Sequence, residues 1–183
     1  MTDNISFDDF VNQQIAKEEP SIDWTRRRDD WIRHLDEFYQ LAEGFLQKYI
    51  DQGKVRITTA TKQITEEHIG SYDVKSLEVQ IGTIKVLLDP IGTLIVGAKG
   101  RVDMRREGMH GPYGTVKFVL VPKTASSPTI RVIVRDSSSE TKDEPEPIVE
   151  EWAWKRRTSP PNVKYIELEE ESFLSAIMEV ANA

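Results

Sequence analysis

Residues 23–59, DWTRRRDDWIRHLDEFYQLAEGFLQKYIDQGKVRITT, contain two different spacings of apolar side chains. From Trp24 onward apolar residues recur every three or four positions, which is the period of an amphipathic helix. After Gly53 apolar and polar residues alternate, which is the period of a strand. The sequence therefore predicts a helix of about thirty residues, capped by Ser21 or Asp23 and followed by a β-sheet.

The alternation continues through the next hundred residues in short segments separated by turn residues. Gly82-Thr83 fits a two-residue type II′ hairpin, residues 89–92 (DPIG) fit a turn, and a change of phase near Lys75 and Ser76 predicts a bulge. Connections this short favour antiparallel neighbours. We expect strands within 55–59, 72–81, 94–98, 102–106, 116–121, 130–134, 148–157 and 163–166.

The last segment, from Phe173 to Ala181, again has helical spacing. The fold class is therefore α+β: a long N-terminal helix, an antiparallel sheet of about seven or eight strands, and a C-terminal helix. Spacing alone leaves open whether the sheet is open, a sandwich or a partial barrel. We expect one domain over residues 1–183, with a short helical segment at 5–18 and a mobile acidic loop at 136–147.

Composition excludes several classes of function. The 183 residues contain no cysteine, so thiol nucleophiles and cysteine-ligated metal sites are ruled out. We find no metal-ligand spacing and no nucleophile motif, and we expect no cofactor. Because no apolar run approaches the roughly 18–20 residues that span a bilayer, we expect no membrane association and a cytoplasmic location.

The net charge of −7 is unevenly distributed. Residues 1–53 carry 6 basic and 12 acidic side chains, residues 54–135 carry 13 basic and 7 acidic, and residues 136–183 carry 5 basic and 12 acidic. The basic middle supports one hypothesis, a nucleic-acid-binding β module that contacts phosphates. Its candidate contacts are Lys99, Arg101, Arg105, Lys117, Arg131, Arg135, Lys155 and Arg156.

The loop 107–114, EGMHGPYG, supports a second hypothesis. Its three glycines let backbone N–H groups converge on an anion, and the neighbouring bases supply positive charge. Such a loop would make the protein a binder of, or an enzyme acting on, a small anionic ligand, although no phosphate-binding motif is present. The candidate ligand-binding residues are Arg105, Arg106, His110, Tyr113 and Lys117.

The hypothesis we favour is a non-enzymatic protein-interaction protein, of the adaptor or inhibitor type. No catalytic set is found, both ends of the chain are acidic, and an antiparallel sheet offers edges to a partner protein or to a second copy in a homodimer. We expect the partner protein to be bound through the acidic surfaces and a sheet edge. The identity of the partner does not follow from the sequence.

Overall fold

The computed structural model describes residues 23–95, 97–109, 111, 114–128 and 151–183. The helical segment 5–18, the strand at 130–134 and the acidic loop 136–147 lie outside these ranges.

The long helix α1 spans Trp24–Asp51, 28 residues. The Asp23 carboxylate accepts the backbone N–H of Arg26 at 2.9 Å, so this residue caps the helix as the sequence predicts. Its buried stripe faces the sheet and contains Trp31, Leu35, Phe38, Tyr39, Ala42 and Leu46.

A single antiparallel sheet follows, in which every strand pairs with its neighbours in the chain. It is an open meander with the order β1-β2-β3-β4-β5-β6-β7, which decides among the three sheet forms that the sequence leaves open. The strands are β1 (Val55–Glu66), β2 (Gly70–Ile81), β3 (Ile84–Gly92), β4 (Gly100–Arg106), β5 (Thr115–Pro122), β6 (Trp152–Arg157) and β7 (Tyr165–Glu167), and helix α2 (Glu170–Ala181) closes the chain.

Both helices cover the same face of the sheet. Phe118 of β5 lies between them, with ring centroids 5.3 Å from Phe38 of α1 and 6.0 Å from Phe173 of α2. Directly paired residues share a face, so Met104 and Trp154 also point toward the helices. The other face, here called the outer face, carries charged residues such as Asp103 and Lys117.

The β1–β2 hairpin extends beyond β3 as a two-stranded arm, residues 60–76. β2 pairs with β3 only between Leu77 and Ile81, whereas its pairing with β1 is continuous from Gly70 to Ile81. The prediction of a bulge near Lys75 and Ser76 is therefore wrong, because both residues pair in register with β1. The change of phase instead reflects twist: Tyr72 and Val74 are buried in the arm, whereas Leu77 and Val79, on the opposite face of the same strand, are buried in the sheet.

Two further predictions need correction. Residues 89–92 belong to β3, because Asp89 and Pro90 pair with Asp103 and Val102, and the irregularity falls between Pro90 and Gly92. The strand expected at 94–98 is replaced by a single bridge between Ile95 and Ala98. Turn hydrogen bonds and the Glu66 side chain use the N–H groups that a strand would pair.

The Gly82-Thr83 turn is confirmed. Ile81 pairs with Ile84 across it, and Gly82 has a φ of +59°, as the first position of a type II′ turn requires. No helix among the described residues is both long and apolar enough to span a bilayer.

Candidate functional site at the edge of the sheet

β1 is a long edge strand whose outward backbone groups can be assigned from the hairpin geometry. Ile81 and Ile84 flank a two-residue turn, so their N–H and C=O groups bond to each other. The direction of the backbone N–H and C=O groups alternates along a strand, so those of Gln80 point toward its partner Arg56 in β1. The N–H and C=O groups of the odd-numbered residues of β1 therefore point away from β2. These outward residues are Val55, Ile57, Thr59, Thr61, Gln63 and Thr65.

Within the described part of the chain no strand pairs with this edge. Thr59, Thr61, Gln63 and Thr65 are exposed, so their outward N–H and C=O groups lie where an incoming strand would sit. Unpaired backbone groups in a row are a template for another extended chain.

The opposite edge of the sheet, formed by β7, has far fewer backbone groups available for pairing. β7 contains only three residues, Tyr165–Glu167. The Tyr165 N–H donates to the Ser126 carbonyl at 2.9 Å, so the loop after β5 already uses part of that edge. The two edges therefore differ, and β1 is the long one without a strand partner in the described ranges.

A groove runs between α1 and β1. A cavity of about 700 Å³ is lined by Glu43, Gln47 and Ile50 of the helix and by the start of β1, and a second of about 340 Å³ continues toward Asp36. Glu43 and Thr59 line both cavities, so the two are adjacent.

The helix residues along this groove form one row, here called the α1 flank: Asp36, Gln40, Glu43, Gln47 and Ile50. Their spacing of three or four places them on one side of the helix. On the opposite side of α1, the ring centroid of Phe45 lies 5.6 Å from that of Phe173 in α2. The α1 flank therefore points away from α2 and beyond the β1 edge. Side chains on the helix-facing side of a strand added to β1 would meet this row.

The arm that carries half of β1 is held in place by Glu66. Its carboxylate accepts the backbone N–H groups of Thr93 at 2.7 Å and Leu94 at 2.9 Å, and the Tyr72 hydroxyl at 2.5 Å. Arg27 of α1 donates to the Thr93 carbonyl at 2.7 Å. Burial, followed by the hydrogen bond to Glu66, raises the pKa of Tyr72 above its usual range.

The basic residues proposed to contact nucleic acid do not all share one surface. Arg101, Arg105, Lys117 and Lys155 lie on the outer face, while Arg156 lies on the helix-covered face and pairs with Glu179 of α2. The Lys99 ammonium lies 4.0 Å from the centre of the Trp152 ring. Arg131 and Arg135 fall outside the described residues.

Arg101 and Arg105 form ion pairs with carboxylates on the outer face. Arg101 donates to both Asp103 oxygens at 2.7 and 2.6 Å, and this hydrogen bonding raises the pKa of Arg101. Lys62 and Arg105 contact the two oxygens of Asp89 at 2.5 and 3.4 Å.

Lys155 is only 3% exposed. Its ammonium donates to the carbonyls of Lys123 at 2.7 Å and Ala125 at 2.9 Å, and to the Glu167 carboxylate at 2.5 Å. The positive charge of Lys155 is therefore used by its own chain.

The proposed anion-binding loop is only partly described, because His110 and Tyr113 lie outside the described residues. Arg105 and Arg106, consecutive in β4, point to opposite faces: Arg105 reaches the Met109 carbonyl at 3.4 Å, and Arg106 reaches the Ala181 carbonyl of α2 at 3.2 Å. Lys117 shares the outer face with Arg105. The structure thus places two of the five candidates on one face and a third on the other.

The sequence prediction named a sheet edge but not the strand that forms it or the residues beside it. Nothing in the sequence marks Glu43 or Thr59 as neighbours, since the groove between them exists only once α1 packs along β1. The threonines from Thr58 to Thr65 favour a strand by composition, but nothing in their spacing marks that strand as the edge of the sheet.

No family model matches the sequence, and no curated protein or solved structure is significantly similar to it. Fold and edge together define the class: a two-layer α+β protein in which two helices cover one face of an antiparallel meander. Its distinguishing feature is a twelve-residue edge strand beside a helix groove.

Proposed function

We propose that this chain is a non-catalytic protein-binding domain that receives an extended segment of a partner protein along the outward edge of β1. The observation that carries the proposal is the β1 edge itself, which is twelve residues long, has no strand partner among the described residues, and borders a groove. Strand addition to such an edge is an established mode of peptide recognition, in which backbone hydrogen bonds supply affinity and neighbouring pockets supply specificity.

The outer face supports a nucleic-acid-binding function less well. Phosphate contacts require lysine and arginine side chains that can release counterions on binding. On this face Arg101 is held by Asp103, Lys62 and Arg105 share Asp89, and Lys155 is buried. An anionic partner would have to compete with these internal carboxylates.

Proline substitution tests the proposal directly. Thr59 and Thr61 have outward N–H groups, so proline at both positions removes two donors from the edge and none from the β1–β2 ladder. Valine at the same two positions is the matched control, because it keeps both N–H groups and the β-branched shape. Two lost bonds at about 1 kcal/mol each correspond to a roughly thirty-fold loss of affinity.

The measurement is selection of extended peptides from a displayed random library against the wild-type domain. We expect selected peptides to bind the valine variant normally, to bind the proline variant weakly, and to protect the Thr59, Thr61 and Gln63 amides from hydrogen exchange. Peptides that bind both variants equally and leave these amides unprotected would contradict the proposal, as would a selection that yields no binder. Thermal unfolding of both variants checks that the fold is kept.

A further inference from the structure

The charge along the groove indicates what kind of segment β1 would receive, and this inference rests on the function proposed above. We infer that the bound segment places a lysine or arginine beside Thr59, on the side that faces α1. The inference follows from the row of helix residues that an added strand would meet.

A strand added to β1 would lie beneath the α1 flank. Neighbouring strands lie about 4.8 Å apart, and their side chains alternate between the two faces of the sheet. Val55, Ile57 and Thr59 point to the helix-covered face, because Ile57 and Thr59 pair with the buried residues Val79 and Leu77. Every second side chain of an added strand would therefore point into the groove beneath the α1 flank.

The α1 flank is acidic. Its five residues include two carboxylates and no cation. Asp36 forms an ion pair with Lys75 at 3.0 Å, and Gln47 donates to Asp51 at 2.7 Å. Glu43 is exposed and has no hydrogen bond or ion pair to any other described residue. Its carboxylate is therefore the unpaired charge of the α1 flank.

The position of Glu43 determines where along β1 the basic residue is expected. Thr59 is the residue of β1 that lines both cavities together with Glu43, so we place the basic residue of the added strand beside Thr59. Lys54 and Arg56 line the groove only at the start of β1. A basic residue is therefore favoured beside Thr59 and disfavoured further toward Lys54, so the requirement is for a local charge rather than for a basic peptide in general.

Charge reversal at Glu43 tests the inference. The probes are three synthetic peptides of the same length as β1, twelve residues, built from alternating threonine and valine and differing only in a central lysine, serine or glutamate. Binding is followed by the chemical shifts of the β1 edge amides. With the wild-type domain we expect the lysine peptide to bind about threefold more tightly than the serine peptide, as for a partly exposed ion pair, and the glutamate peptide to bind most weakly.

With Glu43→Gln the preference for lysine should disappear, and with Glu43→Lys the order of the lysine and glutamate peptides should reverse. Glu171→Lys, an equal charge change at an exposed position of α2, should leave the order unchanged. If all three peptides shift the edge amides equally and Glu43 variants have no effect, the inference is wrong and the proposed strand addition stands. If no peptide shifts the edge amides, both are wrong.

Discussion

The carboxylate of Glu66 accepts the backbone N–H of Thr93 at 2.7 Å, across 27 residues of sequence. The same oxygen accepts the next N–H, that of Leu94, at 2.9 Å. Thr93 is fully buried, so without Glu66 its N–H and hydroxyl would lose their partner away from water. Gly92 is required beside this contact, because a Cβ there would lie 2.7 Å from the Glu66 oxygen.

Replacing Glu66 should destabilise the protein and loosen the arm. Glu66→Ala leaves the Thr93 N–H unpaired, and a buried unsatisfied donor costs about 1–3 kcal/mol, so we expect a loss of about 3 kcal/mol in the free energy of unfolding. Urea denaturation measures this loss. Glu67→Ala is the control, because the Glu67 side chain is 81% exposed and should change stability by less than about 0.5 kcal/mol. Equal effects of the two substitutions would show that Glu66 does not hold the arm.

Two glycine-to-alanine substitutions should have opposite effects. A Cβ on Gly100 would lie 2.1 Å from Cζ3 of the buried Trp31, so Gly100→Ala should cost about 3 kcal/mol through overpacking. A Cβ on Gly44, in the interior of α1, meets nothing within 4 Å, so Gly44→Ala should add about 0.5–1 kcal/mol of stability through helix propensity. Thermal unfolding of both variants provides the comparison, and a stable Gly100→Ala protein would be inconsistent with the packing of Trp31 against β4.

Stability should fall above pH 10, in part because of Tyr39. Burial, the largest cause, raises the pKa of Tyr39 above its usual value of about 10, and its hydroxyl donates to the Lys75 carbonyl at 2.8 Å. A folded-state pKa above the unfolded one gives stability that is complete below about pH 10 and declines as the pH rises further. The decline from one such group is at most about 1.4 kcal/mol per pH unit.

Lysines titrate in the same pH range, so the informative quantity is the difference between wild type and Tyr39→Phe. We expect the phenylalanine variant to be less stable at pH 7, where it lacks the hydrogen bond, and to lose less stability between pH 9 and pH 11, as followed by urea denaturation. Parallel curves for the two proteins would show that Tyr39 does not contribute to the alkaline transition.

Lys155 should be important for stability rather than for binding. Its ammonium serves two carbonyls and the Glu167 carboxylate while only 3% exposed, so Lys155→Met removes a donor from three acceptors. We expect a loss of roughly 2–4 kcal/mol, measured by chemical denaturation. Lys123→Met is the control, because the Lys123 side chain is 66% exposed and its pair with Glu151 contributes little. An unchanged midpoint for Lys155→Met would contradict the role assigned to this buried cation.

Much of the fold could be predicted because the signals are local. The apolar stripe and the Asp23 cap specify α1, and the Gly82-Thr83 turn specifies a hairpin and its register. The predictions fail where local structure depends on groups that are distant in the sequence. Residues 94–98 have strand-like composition, but the Glu66 carboxylate and local turns take the N–H groups that a strand would use.

The candidate site could be predicted only in kind. A sheet with edges follows from the alternating pattern. That Arg101 and Lys117 share one face depends on the register between β4 and β5, which the sequence leaves open. That Asp103 binds Arg101, rather than leaving it available to a ligand, is a matter of side-chain geometry.

Local sequence patterns specify the two described helices, most of the strands and the Gly82-Thr83 turn, because each depends on the periodicity of side chains or on the backbone preferences of neighbouring residues. Tertiary structure alone decided that the sheet is open, that the arm twists so that Tyr72 is buried from the face opposite to Leu77, and that Glu43 lies beside Thr59. These relationships depend on the twist of the sheet and on the packing of α1 across it, and both join residues far apart in the chain.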